Sequence, residues 1–273
     1  MLEQLQYINH MNEILEFGKE KLFVNSNDLR DFAWSITSKN DRISGFKKGI
    51  VSKSIPIIIK CETAEEGYSL RNRLFEVCEK DVLALKHGKI IIGDYYLKCF
   101  VVESKKAEYL IHQNYMKVTV KISTDFPYWV RETSSMFNYG GGVSGADLDF
   151  NRDFPFDYTS NLLGKQLNNP HFVASNFRIV IHGACDNPRI TVGGHDYEIS
   201  ASIDENEYLT IDSTNKTIVL THSDGSKDNC FNLRNRDSYI FQKIPSGILN
   251  VSASGTFKFD IIILEERGEP KWI

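Results

Sequence analysis

No stretch of this sequence approaches the roughly 20 consecutive apolar residues of a membrane-spanning helix, which excludes a helical membrane anchor. Met1 to His10 lacks the basic start and apolar run of a secretion signal, so synthesis and folding in a cytoplasm, without membrane insertion, are expected. Cysteine is sparse. Cys61, Cys78, Cys99, Cys185 and Cys230 are odd in number, far apart and set mostly in apolar runs, which reads as free buried thiols and not as a disulfide framework. Neither Cys-x-x-Cys nor His-x-x-x-His occurs, and without paired ligands at short spacing neither a metal nor any other cofactor is expected. Dense basic patches are missing too. Lys47-Lys48 and Lys105-Lys106 are isolated doublets, the first 127 residues are close to neutral, and the acidic excess behind the net charge of -4 lies in the remainder, so a clamp on nucleic-acid phosphates is excluded.

Catalytic signatures are equally scarce. No serine or cysteine sits in a Gly-x-Ser-x-Gly elbow, and Gly140-Gly141-Gly142 lacks the lysine and Ser/Thr that complete a phosphate loop. Asp147, Asp149, Asn151 and Asp153 have the alternating spacing of the first half of a calcium loop, yet Arg152 and Tyr158 stand where glycine and glutamate are required, so a polar linker is the better reading. Glu198, Glu205, Glu207 and Asp212 could supply facing carboxylates, but acidic residues between strands are commonplace. No catalytic residue is assigned and an enzyme is not expected.

What the chain has in quantity is period-two alternation. Phe177, Ile179 and Ile181 alternate with polar neighbours, Asn187-Pro188 turns the chain, Ile190 and Val192 alternate again, and Gly193-Gly194 supplies a reversal before Tyr197 and Ile199. Leu209 and Ile211, Ile218 and Leu220, Leu249, Val251 and Ala253, and Phe257 to Ile263 continue the pattern, which predicts a β-sandwich or barrel. At 273 residues the chain exceeds the usual single all-β core, and two domains are expected.

The first half reads as strands around one helix. Thr63 and Glu66 form a capping box, and Leu70, Leu74, Phe75 and Cys78 recur at helical spacing, so one apolar face should cover a sheet. Ile55, Ile57 and Ile59 predict a strand that Pro56 marks as an edge strand or strand start. Further strands are expected at Val82 to Leu85, Ile90 to Ile92, Tyr95 to Val102 and Met116 to Ile122. Between Trp34 and Ile55 the chain is polar and glycine-containing, which fits a long exposed loop or a hairpin arm, either mobile or reaching a neighbouring subunit. Phe46, Lys47 and Ile50 are the candidate oligomer-interface residues there, because an apolar side chain stranded in a polar loop often finds its partner on another subunit. Tyr95, Tyr96 and Trp129, with Tyr128, are candidate aromatics for a ligand or partner contact, with core packing the first reading for at least half of them. Residues 1-127 are read as the first domain, 128-159 as an aromatic, acidic junction, and 160-273 as the second domain, with the final Glu-Pro-Lys-Trp tail packing back on one of the two.

Taken in order, Asp125-Phe126-Pro127-Tyr128-Trp129, the Phe154-Pro155-Phe156-Asp157 junction, Asn187-Pro188-x-Ile190-x-Val192-x-Gly194, Leu209-x-Ile211-Asp212, Ser238-Tyr239-Ile240-Phe241, Ile244-Pro245-x-Gly247-x-x-x-Val251 and Arg267-Gly268-Glu269-Pro270-Lys271-Trp272 resemble the siphophage distal tail protein family across nearly the whole chain. The resemblance implies a mainly β fold: a tail-tube-like, two-sheet N-terminal domain with one helix that forms a ring, and a galectin-like or carbohydrate-binding-module-like C-terminal β-sandwich on its outside. It further implies a homo-hexameric ring in the virion tail, made in the host bacterial cytoplasm. The ring would lie between the tail tube protein and a tail-tip hub protein, dock receptor-binding proteins, and let DNA pass without specific binding. A carbohydrate-binding adhesion module is the alternative function, since a fold does not by itself fix a function.

Overall fold

The computed structural model describes residues 5-19, 21-24, 27-110, 114-138 and 166-272. The chain is mainly β, built of antiparallel sheets with one α-helix among the described residues, and divides into two compact units, Met1–Val130 with Arg267–Ile273, and Arg131–Glu266. The calcium-like aspartates, the triple glycine and the Phe154-Pro155 junction lie outside the described residues. Among the described residues no helix is long and apolar enough to cross a membrane.

In the first unit, β1 (Leu5–Ile8), β2 (Ile14–Phe17), β3 (Leu22–Val24), β4 (Ser35–Lys39), β5 (Arg42–Lys47) and β6 (Val51–Lys60) precede helix α1 (Ala64–Ala84). After it come β7 (Gly88–Ile92), β8 (Tyr95–Leu110), β9 (Tyr115–Thr124) and the start of β10 (Trp129–Asn138). Strand β8 is long enough to serve two sheets. Its first residues pair with β7 in the order β8-β7-β1-β2, and from Phe100 onward it pairs with β9 in the order β3-β6-β9-β8. The ladder slips between Val101 and Glu103, so Val102 is an extra residue, bulged out of register and half exposed. Ile55, Ile57 and Ile59 point into the core with Val118, Val120 and Ile122 from the neighbouring strand. Strand β6 is not an edge, contrary to the expectation from Pro56: it pairs with β9 along its length and with β3 over 57-59, and Pro56 stands one residue beyond that described β3 ladder.

Helix α1 begins where its sequence signature places it. Thr63 is the N-cap and its hydroxyl accepts the Glu66 amide at 3.2 Å, while the Glu66 carboxylate accepts the Glu62 amide at 2.8 Å, one residue earlier than in the usual reciprocal box. Leu74, Val77 and Cys78 are buried against the sheets. Val82 to Ala84, expected as a strand, form the last helical turn instead, because the chain breaks only at Leu85, whose left-handed backbone caps the helix. Asp81 is fully buried near this end: its carboxylate accepts the Tyr7 hydroxyl at 2.5 Å and the His10 amide at 2.8 Å, and His10 Nδ1 lies 2.6 Å away. Burial and that carboxylate push the Tyr7 phenol far above its ordinary pKa. Gly88 completes the cluster, since a Cβ there would run into both Asp81 and Tyr7. The C-terminal tail also belongs to this unit: Arg30 donates to the Pro270 carbonyl at 2.8 Å and its guanidinium lies 4.0 Å from the Trp272 ring.

The second unit holds most of β10, which occupies residues read as the start of the junction. It continues with β11 (Gln166–Asn169), β12 (Asn176–His182), β13 (Cys185–Asp186), β14 (Arg189–Val192), β15 (His195–Glu198), β16 (Ser202–Ile203), β17 (Tyr208–Asp212), β18 (Thr217–Thr221), β19 (Lys227–Asn229), β20 (Gly247–Ala253) and β21 (Lys258–Arg267). A sheet ordered β19-β18-β17-β12-β21-β10 faces a four-stranded sheet ordered β11-β20-β14-β15, and both contribute to one core. Phe177, Ile179 and Ile181 oppose Ile263, Ile261 and Phe259, and all six are buried. The β14–β15 reversal needs two residues with positive φ, which Gly193 and Gly194 supply at +57° and +86°.

All five cysteines are free, four of them buried, and burial pushes the Cys78 thiol to about 12. Near the end of β18, His222 lies between two carboxylates, Nδ1 2.7 Å from Glu207 and Nε2 3.1 Å from Asp228. Hydrogen bonds to these two raise its pKa above the ordinary value. The sign follows from that direction: the contribution of protonated His222 to folding is complete below the unfolded-state pKa and is lost as pH rises through the raised folded one. NMR titration should therefore place the His222 midpoint above about 6.5, and Glu207→Gln should lower it; an unshifted midpoint would contradict the contact.

Candidate oligomerisation arm and its root

Strands β4 and β5 form a two-stranded sheet that pairs with no other described strand. The reason is in the sequence: Asn40 and Asp41 both take positive φ, at 52° and 58°, so a two-residue turn closes Lys39 onto Arg42, and the flanking residues carry too few apolar groups to bury a face within the chain. Ile36 stands opposite Phe46, putting both on one face. Simple alternation would send Ile43, three residues before Phe46, to the other face. The bulge prevents this. Thr37 faces Gly45 and Ser38 faces Ile43, so Ser44 is the extra residue, and its hydroxyl bonds back to the Thr37 carbonyl at 3.1 Å. Ile43 thereby returns to the face of Ile36 and Phe46, and the three are 61%, 60% and 60% exposed, an apolar stripe held out in water.

The root of the arm is anchored by aromatics. Trp34 meets Phe46 edge-on at 6.5 Å and Tyr128 at 6.4 Å, and Tyr128 in turn meets Phe126 at 5.2 Å. Between them lies the Lys48 ammonium, 4.5 Å from the Tyr128 ring, 4.8 Å from Trp34 and 5.7 Å from Phe32, donating to the Pro127 carbonyl at 3.2 Å. Burial, with a smaller push from Lys53, lowers the Lys48 pKa. Lys53 donates to the Asp28 carbonyl at 2.6 Å and to the Asp31 carbonyl, tying β6 to the segment that leads into the arm. An open recess of about 250 Å³ lies beside this root, lined by Asp28, Phe32, Lys48, Lys53 and Gly268.

Phe46 lies on the stripe, Lys47 is exposed next to it opposite Ser35, and Ile50, 76% exposed, stands between the arm and β6. Ile36 and Ile43 went unassigned in the sequence although they complete the stripe; the Asn40-Asp41 dipeptide between two short alternating runs is the signal that could have found them. The candidate contact aromatics need correction. Tyr95 and Trp129 are buried, Tyr95 among the strands of the first core and Trp129 donating its indole to the Leu29 carbonyl at 3.3 Å, so neither offers a ring to a ligand. Tyr96, half-buried, has the Lys89 ammonium over its ring at 4.8 Å.

A helix-bearing β unit with a projecting hairpin, joined in sequence to a β-sandwich, is a fold also found in solved phage baseplate proteins. Among the solved structures it is similar to are a chain of the phage P2 baseplate in its activated conformation with calcium (TM-score 0.63, 12% identity, 99% of this chain and 100% of that one covered) and the SPP1 Dit protein, described as a paradigm of the hub adsorption apparatus in phages infecting Gram-positive bacteria (TM-score 0.62, 9% identity, 97% and 99% covered). The same baseplate with strontium matches equally, at a TM-score of 0.63. No protein-family model and no curated protein matches the sequence.

Proposed function

We propose that the chain is a structural, non-enzymatic component of a phage tail tip, in which six copies join through their first units into a ring. The ring lies between the tail tube protein and a tail-tip hub protein, presents the second units to receptor-binding proteins, and lets DNA pass without gripping it. Full-length likeness to a baseplate chain and to a hub protein supports the class, and the count of six is the one the family resemblance implies. The observation that carries the oligomeric part is the stripe of Ile36, Ile43 and Phe46, three large apolar side chains displayed on an arm. A patch on one face that fits a different patch on the next copy repeats head to tail and closes into a ring when the rotation allows.

Burying a phenylalanine stabilises by roughly 1.5 to 3 kcal/mol, so Phe46→Asp should weaken each joint at least tenfold. Light scattering should find the wild-type chain as an oligomer, with annular particles in electron micrographs, and the variant shifted toward the monomer mass. An unchanged mass for the variant would remove the arm from the joint.

A further inference from the structure

Helix α1 carries a second apolar line that the described residues of its own unit leave partly exposed. Tyr68, Phe75 and Val82 recur at intervals of seven along α1 and are 51%, 49% and 37% exposed, whereas a surface helix packed on one side ordinarily turns polar residues outward. Beside this line runs a groove of about 170 Å³ between α1 and β8, with Leu74 and Cys78 beneath, Phe75 and Val82 on the helix side, and Val102 on the strand side. Val102 reaches it only because the bulge in β8 throws the side chain outward.

We infer that this groove is the acceptor for the arm of a second copy of the chain, Ile36, Ile43 and Phe46 lying along Phe75, Val82 and Val102. The inference rests on the ring reading and names the surface that the arm meets. The stripe fits within the line on the helix: from Phe75 to Val82 the helix rises about 10 Å, and Ile43 to Phe46, running alongside Ser38 to Ile36, spans about 7 Å. Charges agree as well. The arm exposes Lys39, Arg42 and Lys47, while α1 exposes Glu76 and Glu79, the latter on the rim of the groove. The helix arginines nearby are engaged at home, Arg71 with the Ser104 hydroxyl and Arg73 with the Ile14 carbonyl, each at 3.0 Å. An arm and a groove are different surfaces, so the joint is heterologous, as closure into a ring requires.

Two variants test this, Phe46→Asp on the arm and Phe75→Glu in the groove, each measured alone and in a 1:1 mixture by light scattering. Each alone should be monomeric. The mixture should form a particle of twice the monomer mass and nothing larger, because one intact arm meets one intact groove and no further joint can follow; this also shows that both variants are folded. If Phe75→Glu keeps the wild-type mass while Phe46→Asp does not, the arm reading survives and the groove assignment fails. Two monomeric variants that do not pair on mixing overturn the groove assignment too. A wild-type chain that is itself monomeric would remove the ring reading and this inference together.

Discussion

Asp81→Ala should cost the first unit roughly 3 to 5 kcal/mol, among the largest effects a single substitution has. The carboxylate has no exposed surface and satisfies the Tyr7 hydroxyl and the His10 amide, with the His10 ring beside it, so alanine strands the buried Tyr7 hydroxyl and takes the acceptor from the part-buried His10 amide. It sits in the last turn of α1, where the helix dipole disfavours an anion, and these contacts from the β1 region are what offset that. Urea unfolding of wild type and variant measures the difference. A loss below about 1 kcal/mol would show that water reaches the site. Tyr7→Phe should cost less, since one donor is removed and the carboxylate keeps the His10 contacts.

In the second unit, Arg131→Met is expected to have a comparable effect, roughly 3 to 5 kcal/mol. Arg131 Nε and Nη2 lie 3.0 and 2.6 Å from Glu265 Oε2, and the Glu265 side chain is 2% exposed, so removing the cation leaves a carboxylate in the interior without its main counter-charge. The double replacement with Glu265→Met should recover much of the loss, because two apolar side chains of similar size need no counter-charge. A double variant as unstable as the single one would assign the loss to the packing of the arginine stem and not to charge.

The two predictions draw on features that the sequence exposes unequally. Strand alternation is a local property, so Phe177, Ile179 and Ile181, Leu209 and Ile211, and the Gly193-Gly194 reversal were readable one residue at a time, and their burial follows. The start of α1 was readable for the same reason, a hydroxyl and a carboxylate three residues apart. Its end was not, because Val82 to Leu85 is apolar on every side and only partners distant in sequence decide between helix and strand. The short strands β1 to β3 escaped likewise: four or fewer residues between turns carry little periodicity. At the arm, Phe46 stood out as an apolar residue among polar ones. Ile36 and Ile43 did not, since placing them beside it depends on a pairing register and an inserted serine. Tyr95 and Trp129 were open to either reading, because aromatic rings serve cores and surfaces equally and only the fold separates the two.

The extra serine in β5 also bears on how the hairpin can change in length. Residues added or removed symmetrically about Asn40-Asp41 preserve parity between the two strands, and the greasy side stays where it is. Loss of Ser44 alone would set Ile43 two residues before Phe46, where plain alternation keeps both on that same side of the ribbon without any bulge. A spacing of three between Ile43 and Phe46 thus depends on the inserted serine, and a spacing of two would not need it.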